Sequence, residues 1–183
     1  MGVQENNHRR ICEIAEAVFS SLTLLRAVGP TCQAGRMTVI RISTDQVGLA
    51  APLFAAYREF YGEPYDLDAA TAFLTERLER DESIVLIALD GDNSVGFTQI
   101  YPSFSSTRLA PIWILNDLFV SPDARGTGAV DDLLDTAARL ATEAGAVEVE
   151  LATAHTNLRA QAVYDRHGYQ LDETYKHYGK PLS

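Results

Sequence analysis

From residue 38 onward, the apolar positions of the chain follow two different periods. Residues 38–42 alternate apolar and polar side chains, which predicts a β-strand. Apolar residues recur every three or four positions over 47–61 and again over 67–81, which predicts two amphipathic helices. Asp66 or Asp68 stands where the second helix needs an N-cap.

Three strands are predicted in the middle of the chain. Residues 83–90 are almost all apolar, which is typical of a strand buried on both faces. The turn formers at 91–93 lead into a second strand at 94–102, so the two should form an antiparallel hairpin. A Ser-rich loop then precedes a third strand at 111–120.

Helical and strand patterns alternate in the last third. We predict a helix over 129–144, a strand over 147–153, a short helix over 157–166 and a final strand over 169–178. The order of elements predicts an α/β protein of the α+β type, with a mixed, mostly antiparallel central sheet flanked by helices.

The first 36 residues differ from the rest. Apolar residues recur at helical spacing between positions 11 and 25 and then give way to turn formers, so we expect a helical N-terminal extension over 1–36 and one domain over 37–183. The extension could pack on the domain or on a partner chain. Alternatively, Met37 is the natural start.

Composition narrows the class of partner. The net charge of −10 argues against nucleic acid and favours a cationic small molecule. No apolar run approaches the roughly 20 residues of a membrane span. Cys12 and Cys32 are far apart and the histidines are widely spaced, so we expect no metal, no disulfide framework and a reducing, cytoplasmic location.

The turn Arg125-Gly126-Thr127-Gly128 stands between the predicted strand at 111–120 and the predicted helix at 129–144. Glycines remove the Cβ atoms that keep a ligand away from the backbone, and the first amides of a helix attract anions. The turn could therefore bind a phosphate. It could equally be a plain loop that uses glycine for its shape, and no Walker or dinucleotide fingerprint is present.

Two motifs at matching spacing carry a resemblance to a known family. Residues 115–130, LNDLFVSPDARGTGAV, resemble the acetyl-CoA-binding motif of the GNAT superfamily of N-acetyltransferases. Residues 157–164, NLRAQAVY, followed by Gly168-Tyr169, resemble a second GNAT signature. The resemblance covers roughly residues 38–180 and implies the GNAT fold and acetyl-CoA as co-substrate.

The resemblance also implies which residues bind the cofactor. The backbone of the strand at 118–120 would pair with the pantetheine arm, where the sheet splays from the strand at 147–153. Amides of the glycine turn would surround the pyrophosphate, and the short helix at 157–166 would contribute further contacts. The residues implied are Leu118, Phe119, Val120, Arg125, Gly126, Thr127, Gly128, Ala129, Val130, Asp131, Asn157, Ala160 and Tyr164.

For catalysis, the resemblance implies that Tyr164 protonates the departing thiolate and that a backbone amide near Leu118 polarises the acetyl carbonyl. From the residues alone, a packing role for Tyr164 on the buried face of its helix is the preferred interpretation. LNDLFV is similar to the LEDFFV strand of spermidine/spermine acetyltransferases, whose glutamate is replaced here by Asn116, while Asp117 is retained. By strand parity Asp117 shares a face with Leu115 and Phe119. It could bind the substrate ammonium, relay a proton through water, or have a structural role.

The acceptor pocket implied by the family draws on the first helix pair and the loop before the cofactor strand. Aromatic residues with acidic neighbours suit a cationic amine there. The candidates for substrate binding are Tyr57, Tyr61, Glu63, Tyr101 and Asp117, with Phe60, Tyr65, Phe104 and Trp113 nearby. For Phe60 and Trp113, an ordinary core position is an equal alternative.

These features predict an acetyl-CoA-dependent N-acetyltransferase that acts on a primary amine of a small molecule, polyamine or amino-acid-like, by direct transfer in a ternary complex. The alternatives are a peptide or protein N-acetyltransferase and a non-catalytic CoA-binding regulator on the same fold. No nucleic-acid or membrane partner is expected, and a homodimer is a family expectation.

Overall fold

The computed structural model of the protein describes residues 37–182. They divide into two compact units, with the boundary in the chain between Ala152 and Thr153. The predicted helix between positions 11 and 25, and with it the extension over 1–36, lies outside the described residues. Within the described part of the chain, no helix is long and apolar enough to cross a membrane.

The first unit is built on a five-stranded sheet in which the strands follow one another in chain order. The first four strands pair antiparallel, and only the last pairing is parallel. This confirms the predicted mixed, mostly antiparallel sheet. The strands are β1 (Thr38–Arg41), β2 (Ile84–Asp90), β3 (Asn93–Ser105), β4 (Ala110–Val120) and β5 (Val149–Leu151).

Two helices cross from β1 to β2. Helix α1 (Ala51–Phe60) follows a short 3₁₀ helix, Thr44–Leu49, and helix α2 spans Leu67–Glu79. The Asp66 carboxylate accepts the N–H of Ala69 at 2.9 Å and so caps α2, as one of the two predicted candidates. A third helix, α3 (Ala129–Glu143), connects β4 to β5, because parallel strands need a crossover.

The core lies on both faces of the sheet. Phe97 on β3 packs edge-to-face on Phe54 of α1, with ring centroids 5.9 Å apart. The adjacent Gly96 faces the other way, where a Cβ atom would come within 3.3 Å of Leu133 on α3. The side chains of β2 are buried from Ile84 through Ala88, which confirms a strand covered on both faces.

A β-bulge interrupts the pairing of β3 with β4. Gln99 lies opposite Asp117 and the next residue, Ile100, lies opposite Leu115, so Asn116 is an extra residue on β4. Because Gln99 and Ile100 point to opposite faces, so do Asp117 and Leu115. The prediction that Asp117 shares a face with Leu115 is therefore wrong. Asp117 does share its face with Phe119, as predicted.

The second unit contains helix α4 (Leu158–Arg166), which matches the predicted short helix. The predicted final strand at 169–178 is wrong, since the structure has neither helix nor strand over 169–182. The Asp172 carboxylate accepts the N–H groups of Thr174 and Tyr175 at 2.8 and 2.9 Å. This local turn uses backbone donors that a strand would need, and Leu171 and Tyr178 remain exposed.

Candidate active site

One edge of β4 opens where the resemblance implied that the sheet would splay. Parallel pairing with β5 covers only Trp113 through Leu115. From Asn116 to Val120, β4 continues with β3 on one side and without β5 on the other. A pantetheine arm could pair with the backbone groups along this open edge. The geometry is thus compatible with cofactor binding by residues 118–120, which stays a prediction.

The glycine turn follows the end of β4. Ser121 donates its N–H to Val95 at 2.9 Å, and a short 3₁₀ turn, Pro122–Ala124, then leads to the glycines. Gly126 and Gly128 have φ of +84° and +96°, a backbone conformation that side chains with a Cβ atom adopt only under strain. The hydroxyl of Thr127 donates to the carbonyl of Ala124 at 2.7 Å and holds the turn together from within.

Helix α3 begins with its amides directed at this turn. Gly128 is the N-cap of α3, and its C=O accepts the N–H of Asp132 at 3.0 Å. The N–H groups of Ala129 and Val130 precede this bond and therefore have no acceptor within the helix. Gly128 offers no side chain as a cap. No atom lies within 4 Å of the place a Cβ atom would take at Gly126 or Gly128. The turn therefore fits a phosphate group held by backbone amides.

A carboxylate in the first turn of α3 has a structural role. Asp132 accepts the backbone N–H of Met37 at 2.9 Å, which ties the start of β1 to the start of α3. A negative side chain at a helix N-terminus is also favoured by the helix dipole. Acidic residues directly after the glycine turn are thus compatible with an anion site.

Asp117 is the buried carboxylate of the site, with 5% of its surface exposed. It accepts the side-chain N–H of Asn116 at 3.1 Å and a hydrogen bond from Tyr57. Burial raises the pKa of Asp117 above its ordinary value, and the two hydrogen bonds counteract part of this rise. Across residues 37–182, no lysine, arginine or histidine forms an ion pair with it.

The charge of this carboxylate acts on three nearby tyrosines. The rings of Tyr57 and Tyr61 meet edge-to-face with centroids 5.0 Å apart. Burial raises the pKa of Tyr57, Tyr61 and Tyr101, and the charge of Asp117 raises each of the three further. The hydroxyls are therefore protonated and serve as neutral hydrogen-bonding groups. We call Tyr57, Tyr61, Tyr101 and Asp117 the Asp117 cluster.

The other predicted acceptor residues lie in different surroundings. Trp113 is buried with 5% exposure, so the core alternative is correct for it, whereas Phe60 is 44% exposed and is not a core residue. Glu63 and Tyr65 are exposed in the loop between α1 and α2. Phe104 is exposed near the tip of the β3–β4 hairpin. Asn116 is exposed at the bulge, beside the Asp117 cluster.

Sequence reasoning missed Gln99 of β3. Its side chain is fully buried, it lies directly across from Asp117, and neither of its amide atoms has a hydrogen-bond partner in the described structure. The available signal was a large polar residue at a position where the strand pattern calls for an apolar one. On the opposite face, the Thr98 hydroxyl donates to the backbone carbonyl of Asp117 at 2.7 Å and holds the bulge in place.

The remaining predicted site residues belong to the second unit. Asn157 caps α4 by accepting the N–H of Ala160 at 3.2 Å and also donates to the Thr153 hydroxyl at 3.2 Å. The half-buried Tyr164 stacks edge-to-face on Tyr169, with centroids 5.8 Å apart. These contacts account for the local structure, and the roles of the three predicted residues toward the cofactor stay predictions.

No group of three or more His, Cys, Asp or Glu side chains that could hold a metal ion is found among residues 37–182. The ligands that the described site offers are hydroxyls, amides and a single buried carboxylate.

Comparisons with known proteins agree with this geometry. The sequence model of the acetyltransferase (GNAT) family matches residues 50–169. The chain is 45% identical over 142 residues to the uncharacterized N-acetyltransferase YhfO of Bacillus subtilis (strain 168), covering 78% of this chain and 95% of YhfO. It is 35% identical over 92 residues to a probable acetyltransferase of Haemophilus influenzae (strain ATCC 51907 / DSM 11121 / KW20 / Rd), which covers 50% of this chain and 63% of that protein.

Solved structures share the fold. The crystal structure of a probable acetyltransferase superposes with a TM-score of 0.75 at 41% identity and covers 80% of this chain and 99% of its own. The match confirms the predicted mixed α/β architecture, and the family uses acetyl-CoA. An open β4 edge, a glycine turn before α3 and relatives named as acetyltransferases lead to one assignment: the chain is an acetyltransferase of the GNAT family.

Proposed function

We propose that the protein acetylates a primary amine of a small cationic molecule by direct transfer from acetyl-CoA. The buried carboxylate of Asp117, which has no basic partner among the described residues, is the observation that carries the proposal. A buried charge is costly unless an opposite charge and hydrogen bonds compensate it. A ligand ammonium would supply the missing charge.

The surroundings of Asp117 favour an acceptor without a carboxylate close to its amine. Three neutral tyrosines offer hydroxyls and ring faces, which suit a cation. Arg77, the basic group that acts on the pKa of Tyr101, is bound by Glu76 at 2.7 Å and Glu82 at 2.6 Å. An acceptor carboxylate would therefore have to compete with both glutamates, which favours a polyamine-like amine over an amino acid.

The proposed reaction divides the work among a few side chains. Acetyl-CoA supplies the acetyl thioester. Asp117 holds the ammonium and takes up its proton through water, and the free amine then attacks the acetyl carbonyl. A carbon–nitrogen bond forms, the carbon–sulfur bond breaks, and Tyr164 donates a proton to the departing thiolate. The acylated nitrogen loses its remaining extra proton, which restores the Tyr164 hydroxyl. Both cysteines precede residue 37, so residues 37–183 contain no thiol for an acetyl-enzyme.

Release of free thiol from acetyl-CoA tests the acceptor class. We expect turnover with putrescine, spermidine or 2-phenylethylamine to exceed turnover with lysine or with a peptide carrying a free N-terminus. Asp117→Asn should raise the KM for the amine about tenfold or more, because the ammonium loses its counter-charge, and leave the KM for acetyl-CoA unchanged. Turnover confined to peptides would contradict the proposed acceptor.

Tyr164→Phe tests the proton donor in the same assay. Since the variant removes a group needed only as the thiolate leaves, kcat should fall by a factor of about 10² while the KM for the amine changes little. Tyr169→Phe is the matched control, because it removes the hydroxyl of the ring that stacks on Tyr164. An equal loss in both variants would indicate a packing role.

A further inference from the structure

Gln99 is a buried amide for which the fold provides no partner. It has no exposed surface, and neither its Nε2 nor its Oε1 atom forms a hydrogen bond within residues 37–182. Buried polar groups are nearly always paired, because leaving water without a replacement hydrogen bond destabilises the fold. A leucine or methionine would fill this position with a smaller loss of folding free energy. Stability of the fold therefore does not explain why an amide stands here.

The strand register places this amide across from the carboxylate that we propose binds the substrate ammonium. Side chains alternate along β3, so Gln99 shares a face with Phe97 and Tyr101. Its cross-strand neighbour on that face is Asp117, and such neighbours have Cβ atoms roughly 5 Å apart. The proposed ammonium site therefore contains a carboxylate for a cation and, one strand away, an uncharged amide whose nitrogen donates hydrogen bonds and whose oxygen accepts them.

We infer that Gln99 determines the specificity of the acceptor by hydrogen-bonding an oxygen on the carbon next to the amine-bearing carbon, so that the preferred substrates are vicinal amino alcohols. The inference rests on the proposed function and narrows its substrate class.

The donor and acceptor of the amide match such a ligand. An ammonium has only N–H donors, and one of them can reach Gln99 Oε1 while another reaches Asp117. A hydroxyl on the adjacent carbon can accept from Gln99 Nε2. Both atoms that are unpartnered in the described structure then have partners, whereas a simple alkylamine leaves Nε2 buried without one. A site built for a hydroxyl discriminates strongly against the analogue that lacks it.

Gln99→Met tests the inference with two amines that differ by one hydroxyl, 2-amino-1-phenylethanol and 2-phenylethylamine. We expect the unaltered protein to prefer the amino alcohol by about tenfold or more in kcat/KM. In Gln99→Met the preference should fall to within about twofold, with an unchanged KM for acetyl-CoA. The thermal midpoint of the unliganded variant should equal or exceed that of the parent, because an unpaired amide leaves the interior.

Ile100→Met is the matched control. Ile100 is also fully buried, but it is the next residue of β3 and faces away from Asp117. The control should keep the preference for the hydroxyl. Gln99→Leu is a second apolar replacement of similar size and should behave as Gln99→Met does if the methionine variant folds poorly.

Three results would overturn the inference, and they differ in what they mean for the proposed function. Equal rates on the two amines in the unaltered protein overturn the inference while the proposed function stands. A preference that survives in both Gln99 variants also overturns it and assigns the amide to the core. If the unaltered protein acetylates no amine in the panel, the proposed function fails and this inference fails with it.

Discussion

Asp117 is a carboxylate that the fold buries and leaves without a basic partner among the described residues. The sequence indicated Asp117 as a candidate because it occupies a mid-strand position in LNDLFV. The sequence could not indicate its partners. Tyr57 is separated from it by 60 positions, and the bulge at Asn116 decides which face its side chain occupies. Residue type predicted the chemistry of this site, and strand register determined its geometry.

The pH dependence of stability should reveal the burial of Asp117. Because its pKa is raised in the folded chain, the folded state binds more protons than the unfolded state between the ordinary pKa and the raised one. The free energy of unfolding should therefore fall as pH rises through that window. Asp117→Asn should remove this decline and make the protein more stable at neutral pH, as measured by urea unfolding at several pH values.

Asp92→Asn is the control for this experiment, because Asp92 is exposed in the turn between β2 and β3. It should keep the pH dependence of the parent. If Asp117→Asn is less stable than the parent at neutral pH, the carboxylate is compensated in the fold, and its assignment as an ammonium site is contradicted.

At the scale of elements, a strand, a glycine turn and a helix combine to form the predicted anion site. The sequence predicted all three, because glycines and a change of period are local signals. The same local approach failed at 169–178, where alternation suggested a strand. A strand needs a neighbour to complete its hydrogen bonds, and a local turn at Asp172 uses those donors instead.

Two glycines at opposite ends of α3 allow the effect of backbone strain on stability to be distinguished from an effect on CoA binding. Gly128 (φ +96°) precedes the helix and Gly145 (φ +76°) follows it, and no atom lies within 4 Å of a Cβ atom at either position. Alanine at either site should lower the free energy of unfolding by about 1 kcal/mol. Only Gly128→Ala should also weaken CoA binding, by about tenfold in calorimetry, because its methyl group enters the space over the helix amides.

Equal CoA affinities for Gly128→Ala and Gly145→Ala would show that the turn is shaped for the fold alone. The pyrophosphate would then have to bind elsewhere along the open edge of β4.

At the scale of the whole molecule, the described residues begin at Met37, and the predicted extension over 1–36 lies outside them. YhfO matches this chain over 142 residues, which are 95% of its own length and 78% of this chain. The backbone N–H of Met37 donates to the Asp132 carboxylate on α3. The prediction of one domain over 37–183 is therefore open to a direct experiment.

A chain that starts at Met37 should bind CoA and acetylate amines with kcat and KM within about twofold of the full chain. Its new ammonium at Met37 can still donate to Asp132 and adds a charge to that hydrogen bond. Thiol release and calorimetry would measure both properties. Loss of CoA binding would show that the extension contributes to the site.

The sequence by itself determined the fold class, the element order from β1 to α4, the glycine turn and the family. These features depend on local periodicity, on turn-forming residues and on motifs whose residues are close together in sequence. Only the tertiary structure decided that Asp117 turns away from Leu115, that its charge acts on three tyrosines, and that Gln99 lies across from it without a partner in the described structure. Such features arise when strands distant in sequence come into register. A single extra residue in one strand changes which side chains share a face, and no local pattern records that change.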